Sequence, residues 1–203
     1  DGEHGVDFQI FDDKRTAFLI ADVTGHGIPA ALTMTMSKML FSIYAPKYDS
    51  SSGLLKDINR QLNGMMLDTQ YITAFYLIYN NETRQLNYSN AGHTRALFYR
   101  ADRNQILALD TFGFFLGIME EVDYEEKIID VNKGDRLFIY TDGITEAKNR
   151  EGEEFGEMNL AKFIKNFNEL QGQEFCDRLM NTLTGFIRDQ EVNDDIAFLN
   201  IEF

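Results

Sequence analysis

Apolar and polar positions alternate with a strand-like period through the middle of the chain and with a helical period on either side of it. "VDFQIF" and "TAFLIADV" flank the turn-like "DDKR" and predict a hairpin of two short strands. "IPAALTMTMSKMLFSIYAP" follows, with Pro29 suited to an early helical position and Ala, Leu and Met spaced for a buried face, so a helix is expected there. After the Ser-rich break "DSSSG", the pattern of "GLLKDINRQLNGMML" predicts a second helix. The period then changes. "YITAFYLIYN", "RQLNYSNAG", "RALFYRA", "NQILALD", "YEEKIIDV" and "DRLFIYTD" are short runs rich in β-branched and aromatic residues, punctuated by "NNET" and "NKGD", and they read as an antiparallel meander. Amphipathic helices are expected in "EMNLAKFIKNF" and "EFCDRLMNTLTGFIRD", and an apolar strand, "DIAFLNIEF", closes the chain. Strands gathered between helices predict an α+β layered sandwich rather than alternating βαβ units.

The length of 203 residues suits one domain with a substantial core, expected to span residues 1–203. The chain opens on Asp1, shows no signal-peptide pattern and has no apolar run long enough for a membrane span, so the expectation is a cytoplasmic piece of a longer protein with no membrane insertion of its own. A single cysteine, Cys176, leaves no internal disulfide framework and reads as a small buried hydrophobe. A formal net charge of −14 argues against a nucleic-acid partner and against adsorption to anionic lipid, both of which would be repelled.

Part of that acidity sits in a telling place. Asp22, Asp142 and the pair Asp194–Asp195 each stand where an apolar strand starts or stops. Any one of them alone reads most simply as a turn or cap residue. Together at one sheet edge, in a partly buried cleft, they would repel one another unless cations offset the charge. Carboxylates and backbone carbonyls suit hard ions, so Mg²⁺ or Mn²⁺ is favoured over Zn²⁺, which would call for His and Cys clusters. Two such ions can lower the pKa of a bridging water and stabilise in-line displacement at phosphorus.

"ADVTGHGIPAAL", "NYSNAGHTRALFYR", "GDRLFIYTDGITEAKN" with "EFG" after it, and "NDDIAFLNI" closely resemble, in order, the signatures of the bacterial stage II sporulation protein E-type phosphatase domain, a branch of the metal-dependent protein phosphatase 2C superfamily. The resemblance covers nearly the whole chain and implies two packed antiparallel sheets flanked by helices, with a centre of two Mn²⁺ or Mg²⁺ ions between the sheets. It implies that Asp22 contributes to both ions, the Val23 carbonyl to one, and Asp142 to the set, with Asp194 preferred over Asp195 in the closing motif. It further implies hydrolysis of phosphoserine or phosphothreonine on a regulatory protein, such as an anti-sigma-factor antagonist, by metal-bound water. Family analogy adds a homodimer formed through preceding helices.

The N-terminus departs from the family's Gly-Gly-Asp-x-Tyr-Asp-like segment. Aligned without gaps back from "DDKR", Asp7 falls on the second Asp of that motif and His4 falls where the metal ligand should be, while shifts of three residues offer Asp7 or Asp1. Asp7 is preferred because "GVD" leads into a strand. His26 and His93 are candidate proton donors to a leaving serine oxygen, with loop-holding and strand-capping roles as the plainer alternatives. In the family resembled, the turn holding Asn90 and Gly92 lies near the metal edge, and a turn-forming role explains them equally well, while Arg136 reads as a surface or structural ion pair rather than a phosphate contact. A module that keeps the fold but binds a partner without hydrolysis is the rival reading, and the altered first motif favours it.

Overall fold

The structure, a computed structural model, describes residues 3–66, 70–188 and 195–203, so Asp1 and Asp194 lie outside the described residues. In chain order the elements are β1 (Glu3–Ile10), β2 (Arg15–Val23), α1 (Ile28–Tyr44), α2 (Ser51–Leu62), β3 (Ile72–Asn80), β4 (Gln85–Ala91), β5 (Ala96–Arg100), β6 (Gln105–Leu109), β7 (Lys127–Asp130), β8 (Arg136–Tyr140), α3 (Gly156–Asn166), α4 (Gly172–Ile187) and β9 (Phe198–Glu202). They form two compact units: Asp1–Arg95 with Asp110–Val131, and Ala96–Leu109 with Asn132–Phe203. Each unit is an antiparallel sheet carrying a pair of helices, which is the α+β arrangement expected.

In the first unit the strand order is β1-β2-β3-β4-β7. The hairpin turn is held by Asp12, whose Oδ1 accepts the Lys14 and Arg15 N–H groups at 2.9 Å. Alternation along β2 sends Ala17, Leu19, Ala21 and Val23 into a core shared with Met34 and Phe41 of α1 and with Leu54, Leu55, Ile58 and Leu62 of α2. Burying each of those larger aliphatic side chains stabilises the unit by about 1.5–3 kcal/mol. Pro29 stands in the first turn of α1, as the sequence predicts.

The second helix starts at Ser51, two residues ahead of the predicted Gly53, because Ser50 caps it: its Oγ accepts the Gly53 N–H at 3.0 Å. Glu126 reinforces this end, accepting from Ser50 Oγ at 2.7 Å and from the Ser52 N–H at 3.1 Å. Burial works to raise the pKa of the Glu126 carboxyl, but hydrogen bonds from Ser50, Ser52, Asn87 and Ser51 outweigh it and hold the group below the usual carboxylate range. A depressed carboxylate contributes stability that is present above its unfolded value and is lost as pH falls through its folded one. Glu126→Gln is therefore expected to lower the melting temperature at neutral pH, and the gap to the parent protein should close as pH falls below about 4.3. Thermal melts across an acid series check this; a gap that stays constant with pH would contradict it.

In the second unit the order is β6-β5-β8-β9. Leu97 and Tyr99 of β5 and Phe138 and Tyr140 of β8 face Leu160, Phe163 and Ile164 of α3 and Phe175, Leu179 and Leu183 of α4. Phe138 sits at the centre of this core, stacked on Phe198 at 5.3 Å and edge-on to Phe175 at 6.1 Å between ring centroids.

The predicted meander of six consecutive strands does not form. Its local hairpins, β3-β4 and β5-β6, are present, but β7 returns to pair with β4 and β8 pairs with β5. Short turns fix the two hairpins, whereas the segment between β6 and β7 is too long to dictate a neighbour, so pairing there follows the open sheet edges. No helix among the described residues is long and apolar enough to cross a membrane.

Candidate functional site

Asp22 is the penultimate residue of β2. Strand alternation, which turns Ala21 and Val23 toward the helices, turns Asp22 to the opposite face, and its Oδ1 is excluded from solvent. The chain beyond β2 is pinned by Thr24, whose N–H donates to the Tyr71 carbonyl at 3.0 Å and whose Oγ1 accepts the Tyr71 N–H at 3.0 Å. Gly25 and Gly27 then adopt φ of +90° and +76° with open space where a Cβ would stand. The left-handed backbone alone requires glycine there, and it lets the chain turn from strand to helix within a few residues. His26, between them, is exposed.

The β1–β2 register decides which first-strand position faces Asp22. His4 is its cross-strand neighbour, while Asp7 pairs with Leu19. Asp7 therefore stands three residues, roughly 10 Å, along the strand and on the other face. The structure does not bring Asp7 to Asp22; it places position 4, which the ungapped alignment singled out, across from Asp22.

On its other side Asp22 pairs with Thr73 of β3. Thr73 Oγ1 and His93 Nδ1 are 2.9 Å apart. The backbone of His93 is clamped by Asn90, which is only 2% exposed: Asn90 Oδ1 accepts the His93 N–H at 2.7 Å and Asn90 Nδ2 donates to the His93 carbonyl at 2.9 Å. Asn90 is itself fixed, its Nδ2 donating to Asp110 Oδ1 at 3.0 Å and its backbone N–H to Thr111 Oγ1 at 2.7 Å. Gly92 makes the turn at φ +72°, and a Cβ there would lie 2.3 Å from the Phe115 ring. His93, Asn90, Asp110, Thr111 and Lys127 line a cleft of about 480 Å³ in this unit. The sequence motif pointed to Asn90, Gly92 and His93 but not to Thr73, Asp110 or Thr111. A polar Thr73 inside the apolar run "YITAFYLIYN" was the one available signal.

In the second unit Asp142 follows β8 and opens a short 3₁₀ turn, its carbonyl accepting the Glu146 N–H at 2.8 Å. Thr141, fully buried, ties this end to the start of β9: its N–H donates to the Ala197 carbonyl at 2.9 Å, its Oγ1 accepts the Ala197 N–H at 3.0 Å and lies 3.1 Å from the Asp195 carbonyl. Asp142 and Asp195, distant in sequence, thus share one edge of this sheet. Asp195 is exposed and Asp142 half-buried. Arg136, at the opposite end of β8, is 3% exposed and structural. It donates to Asn200 Oδ1 at 2.8 Å and to the carbonyls of Asn168 and Leu170, and it lies 4.0 Å over the Phe175 ring.

Among the described residues no group of three or more His, Cys, Asp or Glu side chains gathers as a metal site. At each of the two strand ends, taken by itself, the donors are carboxylate and carbonyl oxygens, which suit a hard divalent ion and would serve Zn²⁺ poorly.

Comparison with known proteins adds the wider context. The family model described as Stage II sporulation protein E (SpoIIE) matches residues 12–203. The chain is 31% identical over 189 residues to the phosphoserine phosphatase RsbU of Bacillus subtilis (strain 168), a match covering 93% of this chain and 56% of RsbU. It therefore spans little more than half the length of that relative. Among solved structures, the SiaA-PP2C domain of Pseudomonas aeruginosa superposes with a TM-score of 0.86 at 20% identity, covering 100% of this chain and 81% of that one. RsbX in complex with magnesium superposes with a TM-score of 0.70 at 19% identity, covering 97% and 84%. At these identities the two structures establish a shared fold.

Proposed function

The chain belongs to the stage II sporulation protein E family, and we propose from that premise that it is a Mg²⁺- or Mn²⁺-dependent protein phosphatase acting on phosphoserine or phosphothreonine of a bacterial regulatory protein. The observation that carries the reading is the delivery of Asp22 and Asp142 to the ends of two apolar strands, β2 and β8, in the family's order and wording. RsbU is named a phosphoserine phosphatase and RsbX was solved with magnesium, which supports both the reaction and the choice of ion. The family match spans residues 12–203 and so takes in residues of both units, in favour of one functional domain.

In this reading Asp22 and the Val23 carbonyl, and separately Asp142 with the Asp194–Asp195 pair, would offer oxygen ligands to divalent ions. Bound there, the ions supply an activated water and neutralise charge on the phosphoryl group. The chain's own part is to place the carboxylates rigidly: the Thr24–Tyr71 hydrogen bonds fix the end of β2, and the Thr141–Ala197 bonds fix the ends of β8 and β9. Ligands held this way lose little freedom on binding, which favours affinity and geometry together.

The expected result is turnover of a phosphoserine peptide that needs Mn²⁺ or Mg²⁺ and stops on addition of EDTA. Turnover that persists without metal would reject the proposal. A second reading, a partner-binding module without hydrolysis, draws on one observation: position 4, across from Asp22, is not a carboxylate. Calorimetric titration with Mn²⁺ separates the two, since an inert module would show no site that depends on Asp22.

A further inference from the structure

The segment between β6 and β7 leaves large apolar side chains in solvent, Phe112 at 78% exposure and Phe114 at 40%. Its backbone is nonetheless held firmly. Leu116 exchanges both backbone hydrogen bonds with Ile72 of β3, at 2.8 and 3.1 Å, and the Gly117 N–H donates to Oδ1 of the buried Asn59 on α2 at 2.9 Å. Phe112 is fixed in the same manner: its N–H donates to Glu125 Oε2 and its carbonyl accepts the Glu125 N–H, both at 2.8 Å. A Cβ on Gly113 would stand 2.0 Å from the Asn90 carbonyl oxygen, so the chain passes directly against the end of β4. Phe115 packs inward, stacked on Tyr71 at 4.6 Å between ring centroids. The fold thus spends many bonds on this backbone while two aromatic rings stay in water and add nothing to the core, which is the mark of a surface built for contact.

Position and charge identify what covers those rings. Ile72 pairs with Val23, the residue after Asp22, and neighbouring strands lie about 4.8 Å apart, so Leu116 is roughly 10 Å from the end of β2. Asp110, Glu120, Glu121, Asp123 and Glu125 belong to the same stretch and are exposed. A second copy of this chain, at a net charge of −14, or an anionic lipid surface would be repelled there. A partner with apolar side chains set among lysines or arginines would be attracted, and its cations would offset the repulsion that this acidic face exerts on an incoming phosphoserine. Resting on the phosphatase reading above, we propose that Phe112 and Phe114 form a docking edge for the phosphoprotein substrate. They take apolar side chains that lie, among basic ones, within about six residues of the phosphoserine, a stretch that an extended chain spans at about 3.3 Å per residue. Aromatic rings bury a large area for little lost freedom and so serve as anchors of such contacts. Binding at this edge is equal before and during the chemical step, so it lowers KM without raising kcat.

Two phosphoserine peptides make the test, one with leucine and lysine on both sides of the phosphoserine and one with serine and glutamate in their places. With Mn²⁺ the parent protein is expected to favour the first by roughly tenfold or more in kcat/KM, and the preference should shrink as salt is raised. Phe112→Ser should raise KM for the first peptide by about tenfold at unchanged kcat, while p-nitrophenyl phosphate, too small to reach this edge, keeps its parental turnover. Phe114→Ser is the second variant and should act in the same direction. Equal use of the two peptides by the parent, an unchanged KM in both variants, or losses that fall equally on p-nitrophenyl phosphate would overturn the docking edge and leave the phosphatase reading standing. Parent protein that turns over none of the three substrates would instead reject the phosphatase reading, and the docking edge with it.

Discussion

Asp22→Asn is expected to lower Mn²⁺-dependent turnover of a phosphoserine peptide by about a thousandfold or more, because in the phosphatase reading its carboxylate would help hold a divalent ion whose charge stabilisation at the reacting phosphorus is worth several kcal/mol. The substitution keeps the side chain's shape and removes its charge. It also leaves untouched the Ala21 and Val23 contacts that anchor this end of β2 in its core. The metal-free variant should therefore fold as the parent does. Any rise in melting temperature that Mn²⁺ gives the parent should disappear, since an ion stabilises only a state that binds it. Steady-state kinetics and melts with and without Mn²⁺ make the test. A folded variant with near-parental turnover would remove Asp22 from the centre.

Asp135→Ala should be the most damaging single change outside the candidate site. The carboxylate of Asp135 is fully buried and accepts three hydrogen bonds: from Arg100 Nη1 at 3.0 Å, from the Ala101 N–H at 2.9 Å and from the Asn132 N–H at 2.9 Å. It thereby joins the turn after β5 to the segment that leads into β8. Removing one member of a buried pair strands the other charge, here the Arg100 guanidinium at 14% side-chain exposure, together with two backbone donors. The expected loss is about 3–5 kcal/mol, a fall in melting temperature on the order of 10 °C. Urea denaturation of the folded domain measures it, and a loss under about 1 kcal/mol would show that solvent replaces those bonds.

How much of the site could be read in advance depended on how local each residue's reason was. Asp22 and Asp142 stood out because an apolar strand that ends on a carboxylate and then a glycine is a pattern within a few residues. Pro29 and the Ala, Leu and Met spacing marked α1 for the same reason. The first-strand position was harder. The sequence of "GVD" suggested Asp7, but the position facing Asp22 is counted from the hairpin turn, and the Asp12-stabilised loop sets that count so that His4 and Asp22 are opposed. The fate of the strands after β4 was less legible still. Their amphipathic pattern was clear, yet no local signal told β7 to return beside β4 or β8 to lie beside β5.

Side-chain periodicity and turn chemistry are properties of neighbouring residues, so the helices, the strands and the two strand-end carboxylates were already written in the chain's order of residues. The placing of Asp142 and Asp195 at neighbouring strand ends, the register that sets Thr73 beside Asp22 while its hydroxyl meets His93, and the burial of Asp135 against Arg100 arise between segments remote from one another. Those were settled only when long-range hydrogen bonding and core packing chose each strand's partner and register, because these interactions act through space and leave no imprint on local sequence.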